Sequence, residues 1–232
     1  MSTDTRRLDD WRKYLSEFIG TFTIVFFAAG SWVASAMTDG SLGTIGPGII
    51  SGLGIMIVIY AFGHISGAHV NPALSIAAAL IGHHPWRLVP GYVIAQMGGS
   101  ALAGMCLLWA LGLHADMGAN QPNIALGITP LSALLIETFM AFLLMWVVAG
   151  VGLDKRAHGP FAGVAVGAVV GIEVMLFGAV AGAAMNPARA FGPYIAIADF
   201  SHYWIYVVGP FIGMAAGGFT YRFTHALGGR GV

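Results

Sequence analysis

Charge is what this sequence has least of. Only 9% of its 232 residues are Asp, Glu, Lys or Arg, against roughly a quarter in soluble domains. Its ten basic and ten acidic residues cancel, which argues against nucleic acid as a partner. The single cysteine, Cys106, excludes an intrachain disulfide, and its apolar surroundings predict core packing. No zinc-ligand spacing and no nucleophile–base–acid triad stands out, so neither metal, cofactor nor enzymatic chemistry is expected. A cleavable signal peptide is not expected either: the apolar run after Arg12 and Lys13 is long enough to span and lacks a convincing cleavage site.

Hydrophobic residues, by contrast, make up 57% of the chain. That much apolar surface does not fit inside one water-soluble core of this length, so lipid is the expected solvent. The 34 glycines agree, because closely packed membrane helices meet through small residues. Gly163, Gly167 and Gly171 recur at four-residue spacing and Gly48 and Gly52 echo them, which predicts close helix crossings within or between subunits.

A bilayer core takes about 20 apolar residues of helix. Six runs qualify, near residues 15–37, 45–63, 86–111, 131–151, 161–178 and 202–224. Two further apolar pieces, 72–81 and 187–197, are too short. Each makes roughly 15 Å of helix, half a bilayer core. Broken segments at membrane depth survive only where they line a cavity or are buried in protein. Arg6, Arg7, Arg12, Lys13, Arg87, Lys155, Arg156, Arg222 and Arg230 all fall on one side of six spans, the expected cytoplasmic side. Arg189 lies on the second short piece and needs a separate explanation.

Both short pieces open alike, with Asn71-Pro72-Ala73 and Asn186-Pro187-Ala188, 115 residues apart. Glu17 and Glu137 stand at an offset of 120, and Tyr92 and Tyr206 at 114. Three full spans per half invert the second half in the membrane, so the broken segments should meet near the midplane. One such tripeptide is a weak signal; two, at matching places in inverted halves, are a strong one. The segments GHISGAHVNPA (63–73) and GAAMNPAR (182–189) resemble the two pore loops of the aquaporin, or major intrinsic protein, family. The resemblance covers nearly the whole chain.

It implies an all-α membrane protein with six transmembrane helices and two half-helices in two inverted repeats. Residues 1–232 would form one channel domain, with repeats at 14–112 and 129–224. The expected function is passive passage of water and small neutral solutes with ions and protons excluded. The expected location is the cell membrane, with both termini cytoplasmic and the chain assembled as a homotetramer in lipid.

Asn followed by Pro is good helix-start chemistry, since the Asn oxygen caps first-turn N–H groups and Pro loses no hydrogen bond there. Each half-helix start carries roughly half a positive charge, and two facing one another repel cations. Water accepting from both Asn amides is turned outward in both directions, which interrupts a proton wire. By resemblance, the carbonyls of Gly67, Ala68, His69 and Val70 and of Gly182, Ala183 and Ala184 form an acceptor ladder. An intramembrane carboxylate is a functional candidate by default. The enzyme reading makes Glu17 and Glu137 a catalytic or relay pair; the family reading makes them acceptors that hold the pore loops.

Four filter positions follow by counting from the signatures: Ser51, Val174, Ala183 and Arg189. Val, Ala and Arg at the last three resemble the nodulin-like intrinsic proteins. Ser51 departs from the Trp of their water-and-glycerol subgroup and resembles subgroups that pass boric, silicic or arsenous acid. A wide pore for small uncharged polyhydroxy solutes, glycerol among them, and for urea is therefore expected. A water-selective aquaporin is the alternative within the class, and a secondary transporter the alternative outside it.

Glu173, beside Val174, has no counterpart in the family pattern. It either approaches the filter and pairs with Arg189, snorkels, or bonds a neighbouring helix or subunit. His64 and His69 are expected to brace the first pore loop. His83, His84 and His158 are expected to be solvated, with pH gating a minor reading.

Overall fold

The computed structural model describes residues 3–154, 156 and 159–225, with side chains from residue 10 onward. The Arg6 and Arg7 side chains, Lys155, His158 and Arg230 therefore lie outside the described residues. Eight α-helices follow one another: α1 (Thr3–Met37), α2 (Ile45–Ser66), α3 (Pro72–Leu80), α4 (Val89–Leu111), α5 (Pro130–Val148), α6 (Ala162–Ala181), α7 (Pro187–Ile197) and α8 (Ile205–Thr224). Among the described residues there is no strand.

Five of the long helices are apolar enough throughout to cross a membrane. The sixth, α8, has the length at 20 residues but carries Tyr206, Tyr221 and Arg222. It is less apolar because one side is buried against α5: Gly213 and Gly217 press on the backbone carbonyls of Thr138 and Phe142. The outer face of the bundle is strongly apolar, as at Ile94 and Trp109, 74% and 89% exposed. Such a surface is stable only in lipid.

Helix ends differ from the sequence expectation for local reasons. The first helix begins at Thr3, well before the apolar run, because polar residues continue the same helix beyond the hydrophobic stretch. α5 ends in a wide π-turn, Ala149–Leu153, whose Gly152 and Leu153 face the central cavity.

α1 pairs with α4, α5 with α8, and α2 with α6. The last pair joins the two halves and explains the glycine runs. A Cβ on Gly52 would sit 2.5 Å from the Gly167 carbonyl oxygen, and one on Gly48 2.8 Å from that of Gly171. The close crossing lies within one chain. Cys106, expected in the core, is only half-buried on α4.

The short helices α3 and α7 have 9 and 11 residues, roughly 14 and 17 Å of rise. Each starts midway, at an Asn that touches the opposite loop, and runs outward from there.

Candidate functional site: two pore loops and a central cavity

Backbone conformation identifies the two loops as copies. Gly67, Ala68 and Val70 all have positive φ (87°, 47°, 43°), and so do Gly182, Ala183 and Met185 (99°, 50°, 53°). Each of the second set lies 115 residues after its counterpart. Left-handed backbone costs a non-glycine residue about 1–2 kcal/mol, so the surroundings must hold it.

Two buried carboxylates do so. Glu17, fully buried, accepts the N–H of His69 at 3.0 Å and of Val70 at 2.6 Å. Ser66 Oγ and Gln96 Nε2 complete its shell at 2.7 and 2.8 Å. Glu137, equally buried, accepts the N–H of Ala184 at 2.8 Å and Met185 at 2.7 Å. The tyrosine pair also acts in parallel: Tyr92 OH donates to the carbonyl of Ser66 at 2.7 Å, and Tyr206 OH to that of Ala181 at 2.9 Å. These are the last residues of α2 and α6, where helix gives way to loop.

Asn71 Oδ1 accepts the N–H of Ala73 at 2.9 Å and Leu74 at 3.4 Å, and Asn186 Oδ1 that of Ala188 at 2.9 Å and Arg189 at 3.2 Å. The amides then cross over. Asn71 Nδ2 donates to the Met185 carbonyl at 3.0 Å, and Asn186 Nδ2 to the Val70 carbonyl at 2.8 Å. An amide NH₂ has two hydrogens, so one from each Asn is used between loops and one remains for the cavity.

That cavity, about 160 Å³, is lined by both Asn residues and by Ser51, Val174, Ala183 and Arg189. The structure thus brings together all four positions singled out in the sequence. Among the described residues no Phe, Tyr or Trp lines it. Ser51 Oγ is buried without a protein partner. Gly67, Ala68, His69, Val70 and Ala184 line the cavity too, whereas Gly182 is turned away.

Gly182 leads to a residue missed in the sequence. Its carbonyl accepts Asn120 Nδ2 at 2.6 Å. Asn120 Oδ1 in turn accepts Arg189 Nη1 at 2.5 Å, and the Gly118 carbonyl accepts the same nitrogen at 3.1 Å. Tyr194 OH donates to the Asn120 carbonyl at 2.6 Å. Asn120 is 2% exposed although it belongs to the connection between α4 and α5. Polar composition marks a connection as a surface loop, and nothing local shows that this one folds inward.

Three expectations change. Glu173 is 4% exposed, neither oxygen has a hydrogen-bond partner among the described residues, and it does not line the cavity, so it neither snorkels nor pairs with Arg189. His64 is exposed at the end of α2 and braces nothing in the loop, whereas His69 is buried with Nδ1 3.1 Å from Ser75 Oγ. His84 is not solvated. Its ring packs between His69 and Tyr92, at centroid distances of 4.6 Å to each, because the turn after α3 folds back on the loop. Burial first, then the neighbouring His69 and Lys13, lowers its pKa to about 4.

A ring of membrane-crossing helices around a cavity where two half-helices meet defines a transmembrane channel. Residues 4–221 match the family described as Major intrinsic protein. Aquaporin NIP1-1 of Zea mays is 41% identical over 218 residues, covering 92% of this chain and 76% of that one. A probable NIP-type aquaporin of Nicotiana alata is 42% identical over 215 residues, covering 91% and 77%. The X-ray structure of the aquaglyceroporin from Plasmodium falciparum superposes with a TM-score of 0.79 at 24% identity, covering 91% and 95%. The chain belongs to the major intrinsic protein family. It is a multi-pass membrane channel for water and small neutral solutes, not an enzyme.

Proposed function

We propose that this channel admits small neutral solutes beyond water: glycerol, urea and metalloid hydroxides such as boric, silicic or arsenous acid. The observation that carries the reading is the wall of the cavity. Ser51, Val174 and Ala183 are small, no aromatic ring narrows the space among the described residues, and Ser51 Oγ has no protein partner. Arg189, engaged through Nη1 alone among the described contacts, offers further donors and repels cations.

In this reading Ser51, Val174, Ala183 and Arg189 form the selectivity filter, and Asn71 and Asn186 the central barrier to protons. The loop carbonyls guide the solute, and Glu17 and Glu137 hold the loops. Residues 14–112 and 129–224 are the two inverted repeats of one domain. Arg12, Lys13, Arg87, Arg156 and Arg222 gather at one end, which supports cytoplasmic termini in the cell membrane. A homotetramer is the assembly consistent with the family.

Stopped-flow permeability of proteoliposomes to water, glycerol, urea and boric acid tests the reading. Wild type should pass all four. Ser51→Trp should cut the solutes on the order of tenfold, equivalent to about 1.4 kcal/mol of barrier, and water less. Fast water flux with every solute excluded by the wild type would overturn it. Chemical cross-linking in the membrane tests the tetramer.

A further inference from the structure

A second opening lies away from the pore, between the N-terminal end of α1 and the C-terminal end of α2. It is a groove of about 540 Å³ whose lining changes character along its length. Arg12, Lys13 and His64 form one end. Ile65, beside His64, lines the same end; Leu15, Ile19 and Phe62 carry the groove on along the two helices, and Leu15, Ile19 and Ile65 are all well exposed on the outer surface. From Lys13 to Ile19 is about 9 Å along the helix axis. The polar end therefore sits where the membrane meets water, and the apolar end lies deeper.

We propose that this groove binds one anionic phospholipid, its phosphate against Arg12 and Lys13 and an acyl chain along Leu15, Ile19 and Phe62. Charge complementarity carries the choice of occupant. Asp10, the acidic neighbour among the described side chains, is gripped by Arg87 through both oxygens, at 2.5 and 3.4 Å, while Lys13 lies 3.8 Å from it. Two guanidinium bonds on one carboxylate leave the positive charge at Lys13 poorly compensated. Basic pockets between membrane helices are suited to lipid phosphate, and an exposed apolar wall below one is suited to an acyl chain.

The second half of the chain carries an internal contrast. At the offset of 120 that relates Glu17 to Glu137, Arg12 and Lys13 correspond to Ser132 and Ala133. The matching position in the other leaflet has no cation, so the site exists once per chain. It also abuts the pore support. Ser16 and Ile65 line the groove, and each precedes a residue of the Glu17–Ser66 hydrogen bond. A lipid held there braces the two helix ends that anchor the first pore loop.

Thermal unfolding of the full-length protein in neutral detergent, titrated with phosphatidylglycerol, tests this. Phosphatidylglycerol should raise the midpoint; phosphatidylcholine and sn-glycerol 1-phosphate should not. The R12Q/K13Q double variant should need roughly 10- to 30-fold more phosphatidylglycerol for the same shift, since each basic contact near a membrane surface contributes about 1 kcal/mol. R222Q, which removes a basic residue elsewhere, should respond as wild type. I65W, which fills the groove beside His64, should lose the response and decides the matter if R12Q/K13Q does not fold. An unchanged response in R12Q/K13Q or in folded I65W, or an equal loss in R222Q, sinks the site. A full shift with glycerol phosphate means a phosphate site without lipid, and a changed oligomeric state in R12Q/K13Q means a contact between copies; either overturns the lipid assignment.

Discussion

Asn186 Nδ2 lies 2.8 Å from the carbonyl oxygen of Val70, a residue of the opposite repeat. Asn71 returns the bond to Met185. The two signatures therefore hold each other together as well as lining the cavity.

Asn186→Asp keeps the helix-capping oxygen and removes the donor to Val70. It leaves a buried acceptor unpaired, a cost of about 1–3 kcal/mol, and adds a negative charge at the barrier. The thermal midpoint should fall and proton leak should rise. Differential scanning fluorimetry and pyranine-loaded proteoliposomes measure the two, and a variant as stable and as proton-tight as wild type would refute the coupling.

Asn120→Ala removes the side chain that joins Arg189 to the Gly182 carbonyl. Arg189 then keeps only the Gly118 carbonyl among its protein acceptors. Selectivity between glycerol and water should shift several-fold, as expected when about 1–3 kcal/mol of positioning is lost. Asn120→Asp retains the acceptor for Arg189 and should lie nearer wild type. Solute-to-water permeability ratios in proteoliposomes separate these outcomes.

His84 binds its proton less readily in the folded protein, with a pKa of about 4 against an ordinary 6.5. Between those values the unfolded chain takes up more protons, so stability falls as pH drops through that window. The contribution is fully present above about pH 6.5 and lost by about pH 4. His84→Phe keeps a ring between His69 and Tyr92 and should flatten this part of the stability profile. Unfolding midpoints from pH 7.5 to 4.5 check it, and equal slopes in both proteins count against the assignment.

Gly167→Val forces a side chain onto the Gly52 carbonyl, which lies 2.6 Å from the position a Cβ would take. Backbone on both sides leaves nothing flexible to yield, so destabilisation of about 3 kcal/mol or more is expected, at or above the usual range for overpacking. Gly159→Val, where a Cβ meets nothing within 4 Å, should be well tolerated there. Folded yield in detergent, read by size-exclusion chromatography, compares the two.

Much of this protein is legible in the sequence alone, because each signal is local or periodic. Apolar runs of membrane length mark the spans, runs of half that length mark α3 and α7, and the paired Asn-Pro-Ala starts carry their own capping chemistry. Glu17 and Glu137 stand out because an intramembrane carboxylate is too costly to be idle. What only tertiary structure decided are contacts between segments far apart in the chain. Asn120 reaches Arg189 across 69 residues, Asn186 reaches Val70 across 116, and the turn after α3 packs His84 against His69 and Tyr92. The glycine spacing shows that helices approach closely; that α2 meets α6 within one chain follows from the packing of the two halves. Hydropathy is a property of each residue, whereas these pairings depend on which surfaces the closed ring brings face to face.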